Sequence, residues 1–165
     1  VDKIGVISTV FTHNSRCYPE GILARSPKKL VVLSCGCPDL ARLVEHNLGD
    51  PAGMAEVEAD LRLEMDGIVR EGIQCCVLGC THYPLLRQVI GACMGPQVSL
   101  VDVGEQCAHY VAARLDRDGL RTDRAEAGSH RYFVSDSTED FADLASVFLG
   151  EDMAGHVEKI DITQY

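Results

Sequence analysis

Four short apolar runs, separated by stretches of helical periodicity, decide what this chain can fold into: Lys3-Ile4-Gly5-Val6-Ile7-Ser8, Leu30 to Cys35, Gln74 to Leu78 and Val98 to Asp102. Runs this brief and this apolar read as strands buried on both faces, and such strands belong to a sheet covered by helices. The intervening segments supply the helices. Thr9, Thr12, Asn14 and Ser15 read as loop and cap material, followed by a helix to about Arg25 that Ser26-Pro27 breaks. Pro38 opens a helix carrying Leu40, Leu43 and Val44. Asp50-Pro51 starts a longer one, with Met54, Val57, Leu61, Met65 and Ile68 along one stripe and Gly72 at its end. Further helices are expected from Pro84 to about Met94 and from Glu105 to about Asp118. Beyond a charged loop at 121–128 come a strand over 130–135, a helix over 138–149 and a strand over 157–162. The alternation predicts an α/β fold with a largely parallel sheet and helices on both faces. A seam is expected near Gly104 or within the 121–128 loop.

Composition narrows the function classes. With 165 residues, 46% of them hydrophobic, a packed core is expected in one ordinary domain or two small lobes. The formal net charge of −10 argues against a nucleic-acid partner, which needs a basic face. No apolar run reaches the roughly 18 residues of a membrane span. No basic segment precedes an apolar one at the start, so no secretory signal is read. The sequence opens at Val1 rather than Met, as a processed protein or a piece of a longer one does. Eight cysteines are many, but a chain with a core and no signal does not call for a disulfide framework, and a reduced cytoplasmic setting is expected. Cys35-Gly36-Cys37, and Cys75-Cys76 followed by Cys80, do not reproduce the paired C-x2-C spacing of zinc sites. No metal is expected, and most of these thiols read as small buried apolar side chains.

Ligands of open α/β sheets bind outside the carboxyl ends of the strands. Three such ends carry polar chemistry here: Ser8-Thr9 to Thr12, Cys35-Gly36-Cys37, and Cys80-Thr81-His82. In the segment Leu78-Gly79-Cys80-Thr81-His82-Tyr83-Pro84-Leu85-Leu86, a thiol stands two residues from a histidine, and Pro84 reads as a helix start. Cation proximity, helix partial charge and hydrogen bonding each favour a thiolate. Thr81 is placed to cap that helix, and the same geometry would offer backbone N–H groups and a hydroxyl to a carboxylate. A plainer reading stands beside each residue. Cys80 would be a core cysteine like Cys75 and Cys76, and His82 a first-turn residue facing water. Glu45 would be a solvated acid on its helix. Thr9, Thr12 and Ser15 would be caps, and Asp102 the cap of the helix after it.

The LGCTHYPLL segment at 78–86 resembles the second catalytic-cysteine motif of the cofactor-independent glutamate racemases of bacterial cell-wall synthesis. Similarity to that family runs through Ile4-Gly5-Val6-Ile7-Ser8-Thr9 with Thr12 and Ser15, Cys37-Pro38 with Leu43-Val44-Glu45, His130 to Asp136, and Val157 to Asp161. Ser8 stands where the family usually has glycine, and the interval from Glu45 to Cys80 is a few residues longer than usual. The family's first-lobe signatures, an Asp-Ser pair, a Tyr-Gly pair and a Cys-Asn-Thr segment, do not occur in these residues. The resemblance therefore implies an aspartate/glutamate racemase-like sandwich represented by one complete lobe plus part of a second. Residues 1–104 would be the second lobe, and 105–165 the segment that completes the missing N-terminal lobe.

Racemisation of glutamate without cofactor or metal is what the resemblance implies, supplying D-glutamate for peptidoglycan. One cysteine removes the Cα proton and a second, on the opposite face, returns one. Cys80 would be one of the pair, serving the L-glutamate side. His82 would hold or supply its proton, Glu45 would balance charge, and Thr81, His82 and Thr12 would contact substrate. On this reading the chain alone is inactive for lack of the opposing cysteine, although Cys35 and Cys37 share the rim. Unpaired strands at 130–135 and 157–162 would favour a homo-oligomer or exchanged C-terminal segments. Rival readings are a related aspartate or hydantoin racemase, a malonate decarboxylase, and a non-catalytic interaction domain.

Overall fold

A computed structural model describes residues 1–47 and 50–164. The chain forms two compact units, Val1–Gly119 and Leu120–Tyr165. In the first, the elements follow as β1 (Lys3–Thr9), α1 (Val10–Ser15), α2 (Cys17–Arg25), β2 (Val31–Cys37), α3 (Leu40–Asn47), α4 (Pro51–Arg70), β3 (Cys75–Leu78), a 3-10 turn (Tyr83–Leu86), α5 (Arg87–Met94), β4 (Ser99–Asp102) and α6 (Val103–Arg117). The four strands pair in the order β2-β1-β3-β4, all parallel. This is the expected α/β architecture, and its register decides where the chemistry lies. Ile7 pairs with both Cys35 and Leu78, and Thr9 pairs with Cys37. The carboxyl ends of β1, β2 and β3 therefore share one rim.

Both sheet faces are covered. Neighbouring strand residues point to opposite faces. Cys35 reaches α4, its Sγ donating to the Glu64 carbonyl at 3.1 Å. Gly36, one residue on, lies against α1, where a Cβ would come 3.0 Å from His13 Cβ and 3.2 Å from Val10 Cα. The close approach of α1 to β2 thus depends on glycine. On the α4 side the predicted stripe is buried, with Val57, Leu61 and Met65 fully inaccessible. They pack with Ile7, Leu40, Val44, Cys76, Leu78, Tyr83 and Ile90 in one core. Asp50 starts α4 as expected, its carboxylate accepting from the N–H groups of Ala52 and Gly53 at 3.1 and 3.2 Å.

Two local expectations are corrected. The helix expected to about Arg25 is α2, but the stretch before it, read as loop and cap material, is itself helical as α1, and the two are divided at Arg16, whose φ of 58° is left-handed. Pro19 explains the break, because it has no N–H to donate to residue 15 in a continuous helix. Ser15 closes the junction instead, its hydroxyl donating to the Thr12 carbonyl and accepting from the Cys17 N–H. The helix expected from Pro84 begins as the 3-10 turn, and α5 starts only at Arg87. Neither has a side-chain cap, so Thr81 does not cap a helix. The caps at Thr9 and Asp102 are as read: Thr9 Oγ1 accepts from the Thr12 N–H at 3.3 Å, and Asp102 from Gly104 and Glu105 at 2.9 and 3.2 Å.

The second unit holds β5 (Tyr132–Val134), α7 (Thr138–Leu149) and β6 (Val157–Lys159), with β5 and β6 paired in parallel. Its buried centre is small, formed by Ala142, Ala145 and Met153. Arg131 fastens the two strands through Glu158 at 2.8 Å. Both strands are shorter than the sequence suggests, and a 3-10 turn (Ile162–Gln164) occupies the end of the expected last strand. Among the described residues, no helix is long and apolar enough to cross a membrane.

Candidate functional site

At the carboxyl end of β3 the chain leaves the sheet through Gly79 and turns, the Tyr83 N–H donating to the Cys80 carbonyl at 3.2 Å. This turn points Cys80 and His82 the same way. Cys80 Sγ lies 3.7 Å from His82 Nδ1, and His82 Nε2 lies 2.7 Å from Glu45 Oε1 on α3. The Thr81 hydroxyl is 3.4 Å from the same Nδ1. Three residues singled out in the sequence, separated by as much as 37 positions, thus form one line of contacts. His82 is well enclosed, its side chain 18% exposed, whereas Glu45 is 41% exposed.

The protonation pattern follows from the donors available. An ionised carboxylate can only accept, so Nε2 carries the hydrogen toward Glu45. In a neutral imidazole Nδ1 is then the acceptor, facing both the Cys80 S–H and the Thr81 O–H. Such an arrangement can move a proton from sulfur to imidazole while the carboxylate opposes the new positive charge. Thr12 lies in the first turn of α1, just past the end of neighbouring β1, its hydroxyl 3.0 Å from that of Thr9.

The other thiols near the sheet are in different surroundings. Burial pushes Cys75 and Cys93 up and raises Cys76 to about 12. Cys37 is raised by its hydrogen bond with Cys35 and then by burial, and its side chain is almost inaccessible. A proton-transfer role on the shared rim therefore does not suit Cys37. Among the described residues all eight cysteines are free, and no group of three or more His, Cys, Asp or Glu side chains is arranged to hold a metal ion.

Two tyrosines and a glycine at the site went unread in the sequence. Tyr83 is fully buried, and burial raises its phenol above the ordinary value, helped by Cys37 and Cys80. Tyr18, in the first turn of α2, has its ring against Gly79, and burial, then Cys17, then Cys80 oppose its ionisation. A Cβ on Gly79 would stand 3.0 Å from the Ile7 carbonyl oxygen, 3.0 Å from Tyr18 Cε2 and 3.1 Å from Ser8 Cβ. The only available sequence signal was position: Tyr18 follows the end of β1 on the rim, and Gly79 directly precedes Cys80.

Behind the rim, Glu64 Oε2, Asp60 Oδ2 and Tyr83 Oη are buried without a hydrogen-bond partner among the described residues. Burial raises the Glu64 carboxyl above its ordinary value of 4.5, with Asp60 and Asp39 adding to the effect and Cys37 opposing it. A carboxyl raised by folding binds its proton more tightly in the native state. Its contribution to stability is complete below pH 4.5 and is lost as pH rises through the raised folded value. Glu64→Gln is expected to flatten that loss, so the variant gains stability over the parent between mildly acidic and neutral pH. Urea midpoints of both proteins across that range check this, and parallel pH curves would refute it.

No family model matches the chain, but individual proteins do. A glutamate racemase of Streptococcus gordonii is 37% identical over 161 residues, which are 97% of this chain and 58% of that protein. One from Geobacter metallireducens is 38% identical over 148 residues, 90% of this chain and 53% of that protein. The crystal structure of a glutamate racemase isoform from Bacillus anthracis matches at a TM-score of 0.87 and 32% identity, over 97% of this chain and 57% of that one. The Francisella tularensis glutamate racemase, solved in complex with D-glutamate, also reaches 0.87, at 26% identity and covering 100% of this chain and 60% of that one. The chain thus spans little more than half the length of the relatives it matches. With this identity across nearly all of its residues and the same backbone, the chain is a homologue of little more than half of each of the glutamate racemases it matches.

Proposed function

We propose that Cys80, His82 and Glu45 form one wall of a two-base site that interconverts L- and D-glutamate without cofactor or metal, the product serving peptidoglycan synthesis. The observation that carries this reading is the unbroken line from thiol to imidazole to carboxylate, at 3.7 and 2.7 Å, on the rim of a parallel sheet. In one direction His82 Nδ1 takes the Cys80 proton, and the thiolate then removes the Cα proton of glutamate. The C–H electron pair stays on the substrate, delocalised into its carboxylate, while a thiol on the opposite face supplies the new Cα proton. In the other direction the Cys80 S–H is the donor. Negative charge developing on the substrate carboxylate needs preorganised donors. The Thr81 hydroxyl and the backbone N–H groups of the turn are assigned that task, with Thr12 a further contact.

The opposing thiol is assigned to a part of the full-length protein beyond these residues, so the 165-residue chain alone is expected to be inert. The same part, or a second copy exchanging its end, would extend the two-stranded sheet of β5 and β6. Full-length protein incubated in D2O with each enantiomer of glutamate is the test. Proton NMR should show loss of the Cα–H signal, and polarimetry should show convergence to a racemic mixture. Turnover of aspartate, a hydantoin or a malonate in place of glutamate would overturn the substrate assignment. No exchange with any of them would leave the interaction-domain reading.

A further inference from the structure

We infer that Tyr18 is a positioning residue for Cys80, its ring clamping the Gly79 backbone so that the thiol leaves the end of β3 toward His82. The inference deepens the proposed function and rests on Cys80 being the reacting thiol. Two contacts hold Gly79. Its N–H donates to the Ile7 carbonyl at 2.8 Å. Tyr18 Cε2 approaches to 3.0 Å from where a side chain would begin. The next residue is Cys80, whose carbonyl is fixed in turn by the Tyr83 N–H. With its backbone tied before and after, Cys80 has little freedom except at its own side chain.

The ring reaches this place because of an unusual junction. Arg16 is the only non-glycine residue with positive φ among the described residues, and it ends α1 and re-aims the chain into α2, whose first turn carries Tyr18. A non-glycine residue in that conformation persists only where the surroundings impose it, and such positions cluster at functional sites. The phenol also suits a wall beside a thiolate. Burial, Cys17 and Cys80 all oppose its ionisation, so it adds no second negative charge there. Contact through the ring, rather than the hydroxyl, is the basis of the assignment, so phenylalanine should serve as well as tyrosine.

Rates of iodoacetamide labelling, measured residue by residue by mass spectrometry across pH, test this in the wild-type chain, Tyr18→Phe and Tyr18→Ala. Tyr18→Phe should keep the Cys80 labelling profile within about twofold, whereas Tyr18→Ala should slow Cys80 at neutral pH by about tenfold or more. Labelling of Cys107 on α6 should stay unchanged, and buried Cys76 should stay protected. In full-length protein Tyr18→Ala should lower kcat more than it raises KM, with Tyr18→Phe restoring it. A Cys80 profile unchanged in Tyr18→Ala would overturn the inference, as would loss in Tyr18→Phe equal to that in Tyr18→Ala. New labelling of Cys76 in Tyr18→Ala would also overturn it, by showing a general structural role. A wild-type Cys80 no more reactive than Cys75 and Cys76 would instead sink the proposed function itself.

Discussion

Cys80→Ala in the full-length protein will lower kcat/KM for glutamate racemisation by about 10³-fold or more, the loss expected for removing a positioned general base. The loss must be equal in both directions. A racemase catalyses a reaction whose equilibrium constant is unity, so no variant can slow one enantiomer's conversion without slowing the other's. Isotope exchange, however, is not bound by that symmetry. On the proposed mechanism the opposing thiol can still remove and replace the Cα proton on its own face. D-glutamate should therefore continue to exchange with D2O while forming no L-enantiomer, and L-glutamate should show no exchange. Cys76→Ala is the control, because that thiol is fully buried and is held protonated by its surroundings. It should cost stability and leave exchange intact. A Cys80→Ala protein within about tenfold of wild type would remove the residue from the reaction.

The legibility of this chain followed the range of the forces involved. Short apolar runs identified all four strands of the first unit, because parallel strands buried on both faces leave a dense local signal. The stripe on α4 was equally plain, since Val57, Leu61, Met65 and Ile68 are all buried. The 3-10 turn at Tyr83–Leu86 was hidden because proline is equally at home at the start of an α-helix. The division at Arg16 depended on a backbone conformation, for which arginine gives no cue. In the second unit, strands of three residues were overestimated, because apolar composition does not say how far pairing extends. The site was half legible. Cys80 and His82 are neighbours in sequence, so their contact could be anticipated from spacing. The Glu45 contact with His82 spans 37 positions, and only the resemblance singled that glutamate out from other solvated acids. The Tyr18 contact with Gly79 left no trace in either.

Glu45 and His82 should behave as one unit in a double-mutant cycle, because the carboxylate acts on the thiol only through the imidazole. Glu45→Gln keeps the shape and one acceptor oxygen but removes the charge that opposes the imidazolium. Supporting groups of this kind are worth about 10- to 100-fold, and kcat/KM should fall by that amount. His82→Asn removes the proton acceptor itself, so the fall should be larger, about 10²- to 10³-fold. In the double variant the effect should be close to that of His82→Asn alone, because no imidazolium then remains for Glu45 to stabilise. The pH–rate profile gives a second reading. Glu45→Gln should alter the limb governed by the His82–Cys80 pair, whereas a solvated surface acid would leave the profile unmoved. Stability should not confuse the result, since Glu45 is 41% exposed and thermal melts of Glu45→Gln should overlay those of the parent. Additive losses in the double variant would separate the two residues and reduce Glu45 to an ordinary surface acid.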